Sequence, residues 1–149
     1  MRFVKEARVR FGHADPAGIA YYPRFFEWFH DAFESMFEAA FQQSYAEVLA
    51  SSECGFPAVQ AACEWRRPAR FGDLVQIEVF ISRLTERSAT FEYRVKKEGA
   101  LLATASVKVA GMHLSQHRPM AFPPNIRTVF ERYVEEDRDH PDTSRLRGA

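Results

Sequence analysis

A single carboxylate, Asp15, stands in the turn Asp15-Pro16-Ala17-Gly18, and Tyr21-Tyr22-Pro23-Arg24-Phe25-Phe26-Glu27-Trp28 follows at once. Proline fixes φ and glycine permits positive φ, so the chain must reverse here. Asp15 therefore sits where one element ends and a helix is about to begin. The first turn of a helix offers unsatisfied N–H groups and the positive end of the helix dipole. A carbonyl docked on such N–H groups is polarised as in an oxyanion hole. A carboxylate beside it can attack the carbonyl carbon or activate a water. An aspartate before proline is also the ordinary turn or N-cap residue. Spacing alone leaves both roles open.

The elements that must position this turn can be read from hydropathy. Phe3, Ala7, Val9 and Phe11 alternate with Arg8 and Arg10, which predicts a strand from Phe3 to Phe11. A helix is expected from about Pro23 to Phe41. Phe25, Phe26, Phe29, Ala32, Phe33, Met36, Phe37 and Ala40 share one face of it, and Glu27, Asp31, Glu34 and Glu38 lie opposite. After a polar stretch, Gly55-Phe56-Pro57 opens an extended segment to Trp65. Three alternating runs follow: Val75 to Ile81, Phe91 to Val95, and Leu101 to Val109. Lys97-Glu98-Gly99 is the hairpin turn between the last two. Ile126 to Val134 reads as a short helix. One domain over 1–134 and a frayed charged tail over 135–149 are expected. The order of elements predicts an α+β fold, one long aromatic helix on an antiparallel sheet of about five strands. Such a sheet keeps an open face or edge, so a homodimer or homotetramer is expected.

Composition narrows the partners. The 149 residues carry 20 Lys+Arg against 20 Asp+Glu, so no bulk charge favours nucleic acid or an anionic membrane. No apolar run approaches the roughly 18 residues of a membrane span. Charges at nearly every other place from Met1 to Arg8 do not read as a signal peptide. Cys54 and Cys63 make no disulfide framework, and a reducing cytoplasm is the expected compartment. The His residues lack metal-ligand spacing, so no metal and no other cofactor is expected. Fourteen Phe are more than a one-domain core needs.

The run Asp15-Pro16-Ala17-Gly18-Ile19-x-x-Tyr22-Pro23, followed by Arg24-Phe25-Phe26-x-Trp28, resembles the 4-hydroxybenzoyl-CoA thioesterase family of hotdog-fold proteins. Weaker likeness runs through Gly55-x-Pro57, Phe71-Gly72-Asp73 and the strand around Lys108. The resemblance implies one long helix cradled in an antiparallel sheet, paired into dimers and often tetramers. It implies that Asp15 is the catalytic carboxylate and that the backbone N–H of Tyr22 polarises the thioester oxygen. The activity implied is hydrolysis of an aromatic acyl-CoA to the free acid and CoA, with Asp15 as nucleophile or base.

Where the family carries an Asp that bonds the ring hydroxyl across the subunit interface, this chain has His30, so a benzoyl or differently substituted aromatic acyl group stands beside the 4-hydroxybenzoyl group as an expected substrate, with His30 as a substrate-binding candidate. Tyr21, Phe25 and Trp28 are further acyl-pocket candidates, and the Phe cluster beyond them reads as core. The family's basic grip on CoA falls on Arg87, Ser88 and Lys108, with Arg83 added. Glu86 in that turn has the wrong sign for a phosphate. His13, two residues before Asp15, reads as a strand-end histidine or as a neighbour that tunes the carboxylate. A short-chain aliphatic acyl-CoA thioesterase and a non-catalytic acyl-CoA binder are the alternatives, and only the enzyme readings need a carboxylate at the turn.

Overall fold

The computed structural model describes residues 1–136; from residue 137 on, the expected tail lies outside the described residues. Strand β1 (Phe3–Arg8) leads through a single 3-10 turn (Phe11–His13) and the Asp15 turn into helix α1 (Arg24–Phe41). Then come α2 (Tyr45–Ser52), β2 (Cys54–Gly55), β3 (Ala58–Trp65), β4 (Leu74–Leu84), β5 (Ser88–Lys97), β6 (Ala100–Ala110), β7 (Met112–His113) and α3 (Pro124–Arg132). The main sheet has the order β1-β4-β5-β6-β3, antiparallel throughout, and β2 pairs with β7 in a separate ribbon. This is the α+β arrangement of a long helix on a five-stranded antiparallel sheet that the pattern of elements predicts.

Helix α1 starts one residue later than expected because Pro23 is its N-cap, and it ends at Gln42, whose left-handed backbone (φ 52°) caps it through an N–H bond to the Glu38 carbonyl. Phe25, Trp28, Phe29, Ala32, Phe33, Met36 and Phe37 recur at intervals of three and four, so all seven are buried. They face Val75, Ile77, Val79 and Ile81 of β4, Phe91, Tyr93 and Val95 of β5, and Ala103 and Ala105 of β6. Phe29 lies against Tyr93 with ring centroids 4.9 Å apart, and Phe33 against Phe91 at 5.0 Å. Such aromatic pairs add about 0.5–1.5 kcal/mol each beyond area burial. Phe26, expected on the buried face, is 37% exposed, and Trp28 takes the place inside. Trp28 lies at a 3–4 spacing to its neighbours on that stripe, whereas Phe26 falls at its edge.

The expected strand ends early. After Arg8 the chain is held by Val9 N–H to Asp73 O and Gly72 N–H to Val9 O, both 2.8 Å, and Phe11 turns outward, 82% exposed. Helix α2 occupies the stretch read as merely polar, capped by Ser44, whose side chain accepts from Glu47 N–H. Glu98 and Gly99 both have positive φ (49° and 81°), as a two-residue hairpin demands. Helix α3 closes one end of the core, with Phe130 against Phe37 at 5.7 Å and Phe91 at 5.3 Å. Beyond it Val134 bridges Ile81, and Glu135 N–H donates to Ile81 O. Among the described residues no helix is long and apolar enough to cross a membrane.

Candidate active site

The Asp15 turn is a closed hairpin. Asp15 N–H donates to Ile19 O (2.9 Å), Gly18 N–H to Asp15 O (2.9 Å) and Tyr21 N–H to His13 O (2.8 Å), and Ala14 bridges Ala20. Gly18 has φ 78°, which is the reason a glycine is needed there. One oxygen of the Asp15 carboxylate accepts Ala17 N–H at 2.8 Å. This is the Asx turn of the ordinary reading, and it also fixes the direction of the carboxylate. The hairpin is laid on the segment between β3 and β4 by Ala20 N–H to Ala69 O (2.7 Å) and Phe71 N–H to Gly18 O (3.0 Å), with Ile19 bridging Arg70.

The start of α1 has fewer free donors than a generic helix. Arg24 N–H donates to Tyr21 O, Phe25 N–H to Tyr22 O and Phe26 N–H to Pro23 O, at 2.9–3.2 Å. The Tyr22 N–H, immediately before them, donates no hydrogen bond among the described residues. Proline at 23 has no N–H of its own. The closed loop thus carries a fixed carboxylate at one point and an uncommitted N–H at another.

Two hollows flank this end of α1. The first, about 610 Å³, runs from Tyr22 over Phe25 and Trp65 to Arg66 and Arg67. Trp65 lies edge-on to Tyr22 and Phe25 with centroids 5.8 and 6.0 Å apart. The second, about 280 Å³ and mostly apolar, lies between α1 and β3, with His30, Phe26, Phe33 and Ala61 in its wall. Asp15 lines neither. His30 has Nε2 3.2 Å from a Glu34 oxygen, and its ring stacks on Phe33 at 5.9 Å. It lies eight positions beyond Tyr22, about 12 Å along the helix axis at the helical rise.

Of the residues singled out in the sequence, the structure gathers Tyr21, Tyr22 and Phe25 with Asp15 at one end of the fold. Tyr21 and Tyr22 are exposed and their rings touch at 5.3 Å. Phe25 and Trp28 are core residues, 2% and 5% exposed, so only an edge of Phe25 reaches a hollow. Trp28 faces a third hollow, of about 380 Å³, beside β1, where the His13 ring stands edge-on at 5.3 Å. His13 Nδ1 accepts Arg10 N–H at 2.9 Å, so His13 builds the turn.

Arg83, Arg87, Ser88 and Lys108 lie elsewhere. The Asp15 hairpin adjoins the start of β4, and Arg83 lies nine positions beyond Leu74, roughly 30 Å at about 3.3 Å per residue. Arg83 and Lys108 share a row across the sheet through Thr90. The Ser88 hydroxyl lies 2.7 Å from the Thr85 hydroxyl within a tight turn. The basic residues that line the hollow at Tyr22 are Arg66 and Arg67, with Arg70 on the segment that pins the hairpin; Arg24, two positions beyond Tyr22, is paired with Glu27. Their signal in the sequence was three arginines in the five residues after Trp65.

Comparison with known proteins supplies the family. The acyl-CoA thioesterase YbgC of Haemophilus influenzae is 25% identical over 123 residues, 83% of this chain and 90% of that one. A 1,4-dihydroxy-2-naphthoyl-CoA hydrolase of Prochlorococcus marinus is 26% identical over 130 residues, 83% of this chain and 85% of its own length. A gentisyl-coenzyme A thioesterase of known structure superposes with a TM-score of 0.76 at 28% identity, over 85% of this chain and 98% of that one. The family described as the Thioesterase-like superfamily matches residues 9–130. With a hotdog fold in hand and most of its length matched, the chain belongs to the Thioesterase-like superfamily and is a thioester hydrolase.

Proposed function

We propose that the chain hydrolyses an aromatic acyl-CoA, of benzoyl or hydroxybenzoyl type, to the free acid and CoA. The observation that carries the reading is the uncommitted Tyr22 N–H in the same closed hairpin as the oriented Asp15 carboxylate. The carbonyl oxygen accepts from Tyr22 N–H, which stabilises the negative charge that develops when the carbonyl is attacked. Asp15 either attacks the carbonyl carbon, giving an anhydride that water opens, or takes a proton from the attacking water. In both cases the C–S bond breaks, the thiolate leaves as CoA and is protonated, and water supplies the acid oxygen. No metal or redox group is required for that sequence.

Two relatives carry aromatic acyl groups in their names, 1,4-dihydroxy-2-naphthoyl and gentisyl, and the hollow at Tyr22 and the one at His30 are both walled by aromatic rings. Both support an aromatic acyl group here. His30 then meets a ring substituent from a second copy, because its own Tyr22 is too far along the helix for one benzoyl ring to span. A homodimer or homotetramer in the cytoplasm, where Cys54 and Cys63 stay reduced, completes the reading.

Thiol release is to be measured from benzoyl, 3- and 4-hydroxybenzoyl, phenylacetyl, acetyl and hexanoyl thioesters of CoA. We expect turnover of an aromatic member and a fall in kcat of about 10²–10⁴-fold in Asp15→Asn, the usual weight of a positioned acid–base group. Near-normal turnover by Asp15→Asn removes Asp15 from the mechanism. Preference for hexanoyl or acetyl removes the aromatic claim, and CoA binding without any turnover favours the binder.

A further inference from the structure

The hollow of about 280 Å³ between α1 and β3 is lined by a buried hydroxyl-bearing residue that the fold leaves unused. Tyr93 stands in the middle of β5, opposite Val79 of β4 and Ala105 of β6, and its ring lies against Phe29 with centroids 4.9 Å apart. The residue is 3% exposed, as deep as the aliphatic core around it. Its hydroxyl makes no hydrogen bond among the described residues, yet protein atoms do not seal it off, so it opens on the hollow that Tyr93 lines. Elsewhere on the sheet hydroxyls are used, since Ser82 and Ser106 both donate to Glu92. A buried hydroxyl left unpaired costs free energy, and phenylalanine would fill the same space without that cost. Around Tyr93 the wall is apolar, with Phe26, Phe33, Ala61 and Val107, and His30 is the other polar side chain in it.

We propose that Tyr93 is a specificity-determining residue, its hydroxyl hydrogen-bonding a polar substituent on an acyl ring seated in this hollow. The inference rests on the aromatic thioesterase reading and deepens it: the preferred ring carries a hydroxyl or similar hydrogen-bonding group, and plain benzoyl is the poorer substrate. A phenol both donates and accepts, so it pairs with a ring hydroxyl in either sense. Burial, and to a smaller extent Tyr45, push the Tyr93 hydroxyl above the ordinary tyrosine value, so at neutral pH it stays protonated and able to donate. The apolar wall suits the faces of a ring, and two polar points on such a wall fix a ligand's orientation. A ring without the substituent leaves the buried hydroxyl unpaired, which is the strong form of discrimination between substrates. Tyr93 takes no part in breaking the C–S bond.

The test is Tyr93→Phe in the full chain, which removes the hydroxyl and keeps the ring. Thiol release is measured on benzoyl-CoA, 3-hydroxybenzoyl-CoA and 4-hydroxybenzoyl-CoA, and Tm with and without benzoate, 3-hydroxybenzoate and 4-hydroxybenzoate. In the wild type we expect kcat/KM for one hydroxylated ring to exceed that for benzoyl by about tenfold or more. In Tyr93→Phe that ratio collapses toward unity through loss on the hydroxylated substrate, while benzoyl turnover is kept or raised. Without ligand the variant melts at or above the wild-type temperature, because no hydrogen bond within the protein is lost. The matching hydroxybenzoate raises the Tm of the wild type more than that of the variant. A wild type that cleaves benzoyl-CoA as well as both hydroxylated thioesters overturns the inference. So does a variant that keeps the wild-type ratio, or one that loses all three substrates equally with a lowered Tm, which would make the hydroxyl a support of the core. Each of these leaves the thioesterase reading, tested through Asp15→Asn, standing. A wild type that cleaves none of the three aromatic thioesters overturns the aromatic reading and this inference together.

Discussion

His13 shows how one side chain can serve a site without touching substrate. Its ring nitrogen Nδ1 takes Arg10 N–H, its carbonyl takes Tyr21 N–H, and its ring edge rests on Trp28. It thereby ties the end of the β1 arm to the step just before Tyr22. An asparagine oxygen can stand where Nδ1 stands, whereas alanine leaves Arg10 N–H without its partner. We expect His13→Ala to lower stability by about 1–2 kcal/mol, the cost of a lost hydrogen bond and ring contact. Its kcat should drop about tenfold through a loosened hairpin, and His13→Asn should recover most of both. Thermal melts and thiol-release kinetics on the two variants decide it; equal behaviour of Asn and Ala removes the hydrogen bond as the cause. Asp15 and Gly18 were legible in the sequence because proline and glycine punctuate a turn whatever the fold around them. Arg66 and Arg67 stand out in the sequence only as a basic run after Trp65, and it takes the fold to place them in the wall of the hollow at Tyr22.

At the scale of elements, the connection from β3 to β4 decides whether the hairpin stays put. Asp73 closes that connection: one oxygen accepts Arg70 N–H at 2.8 Å and the other takes the Lys97 ammonium at 2.9 Å. Burial pushes the Asp73 carboxyl up, but the Lys97 hydrogen bond, the Arg70 N–H and the two cationic charges outweigh it and hold the group below the usual carboxylate value. The folded chain therefore binds this proton less readily than the unfolded one. The stabilisation is complete above about pH 4, the ordinary aspartate value, and is lost as pH falls through the lowered folded value. The Tm gap between wild type and Asp73→Asn should accordingly be constant from neutral pH to about pH 4 and narrow below it. A gap that persists undiminished in acid would assign the effect to packing. Elements themselves were legible where periodicity ran long. β4, β5 and β6 alternate over several residues, and α1 repeats its stripe over five turns. Helix α2 is eight residues long, too short for periodicity, although Ser44 and Glu47 hold the spacing of a capping box. Strand β1 ends before the Phe11 that the alternation predicts, because Phe11 keeps the hydropathy pattern after the backbone has turned to bond Asp73.

In the whole molecule β3 is the bare edge. Seven of its eight residues are exposed, with only Cys63 half-buried, and it hydrogen-bonds along one side to β6 as the last strand of the main sheet. The opposite edge strand, β1, is protected differently, since Lys5 binds Asp31 and Ser35 of α1 and every second residue is half-buried. A long strand open along one edge, carrying Val59 at 58% and Trp65 at 42% exposure, is a surface that single chains avoid. The smaller hollow has β3 as one wall and His30 in another, so a second chain paired with β3 would also border that hollow. The sequence implied association because one helix cannot cover a sheet, but only the register shows which edge is bare. We expect light scattering to give at least twice the chain mass for the wild type. Val59→Lys places a charge on the bare edge, a device natural edge strands use against pairing. Its mass should move toward a single chain while circular dichroism stays unchanged, and thioester turnover should fall with it. Asp15→Asn should lose turnover at full mass. A wild type that scatters as one chain and still hydrolyses its substrate would place the complete site within a single protomer and leave Arg83, Arg87 and Lys108 outside it.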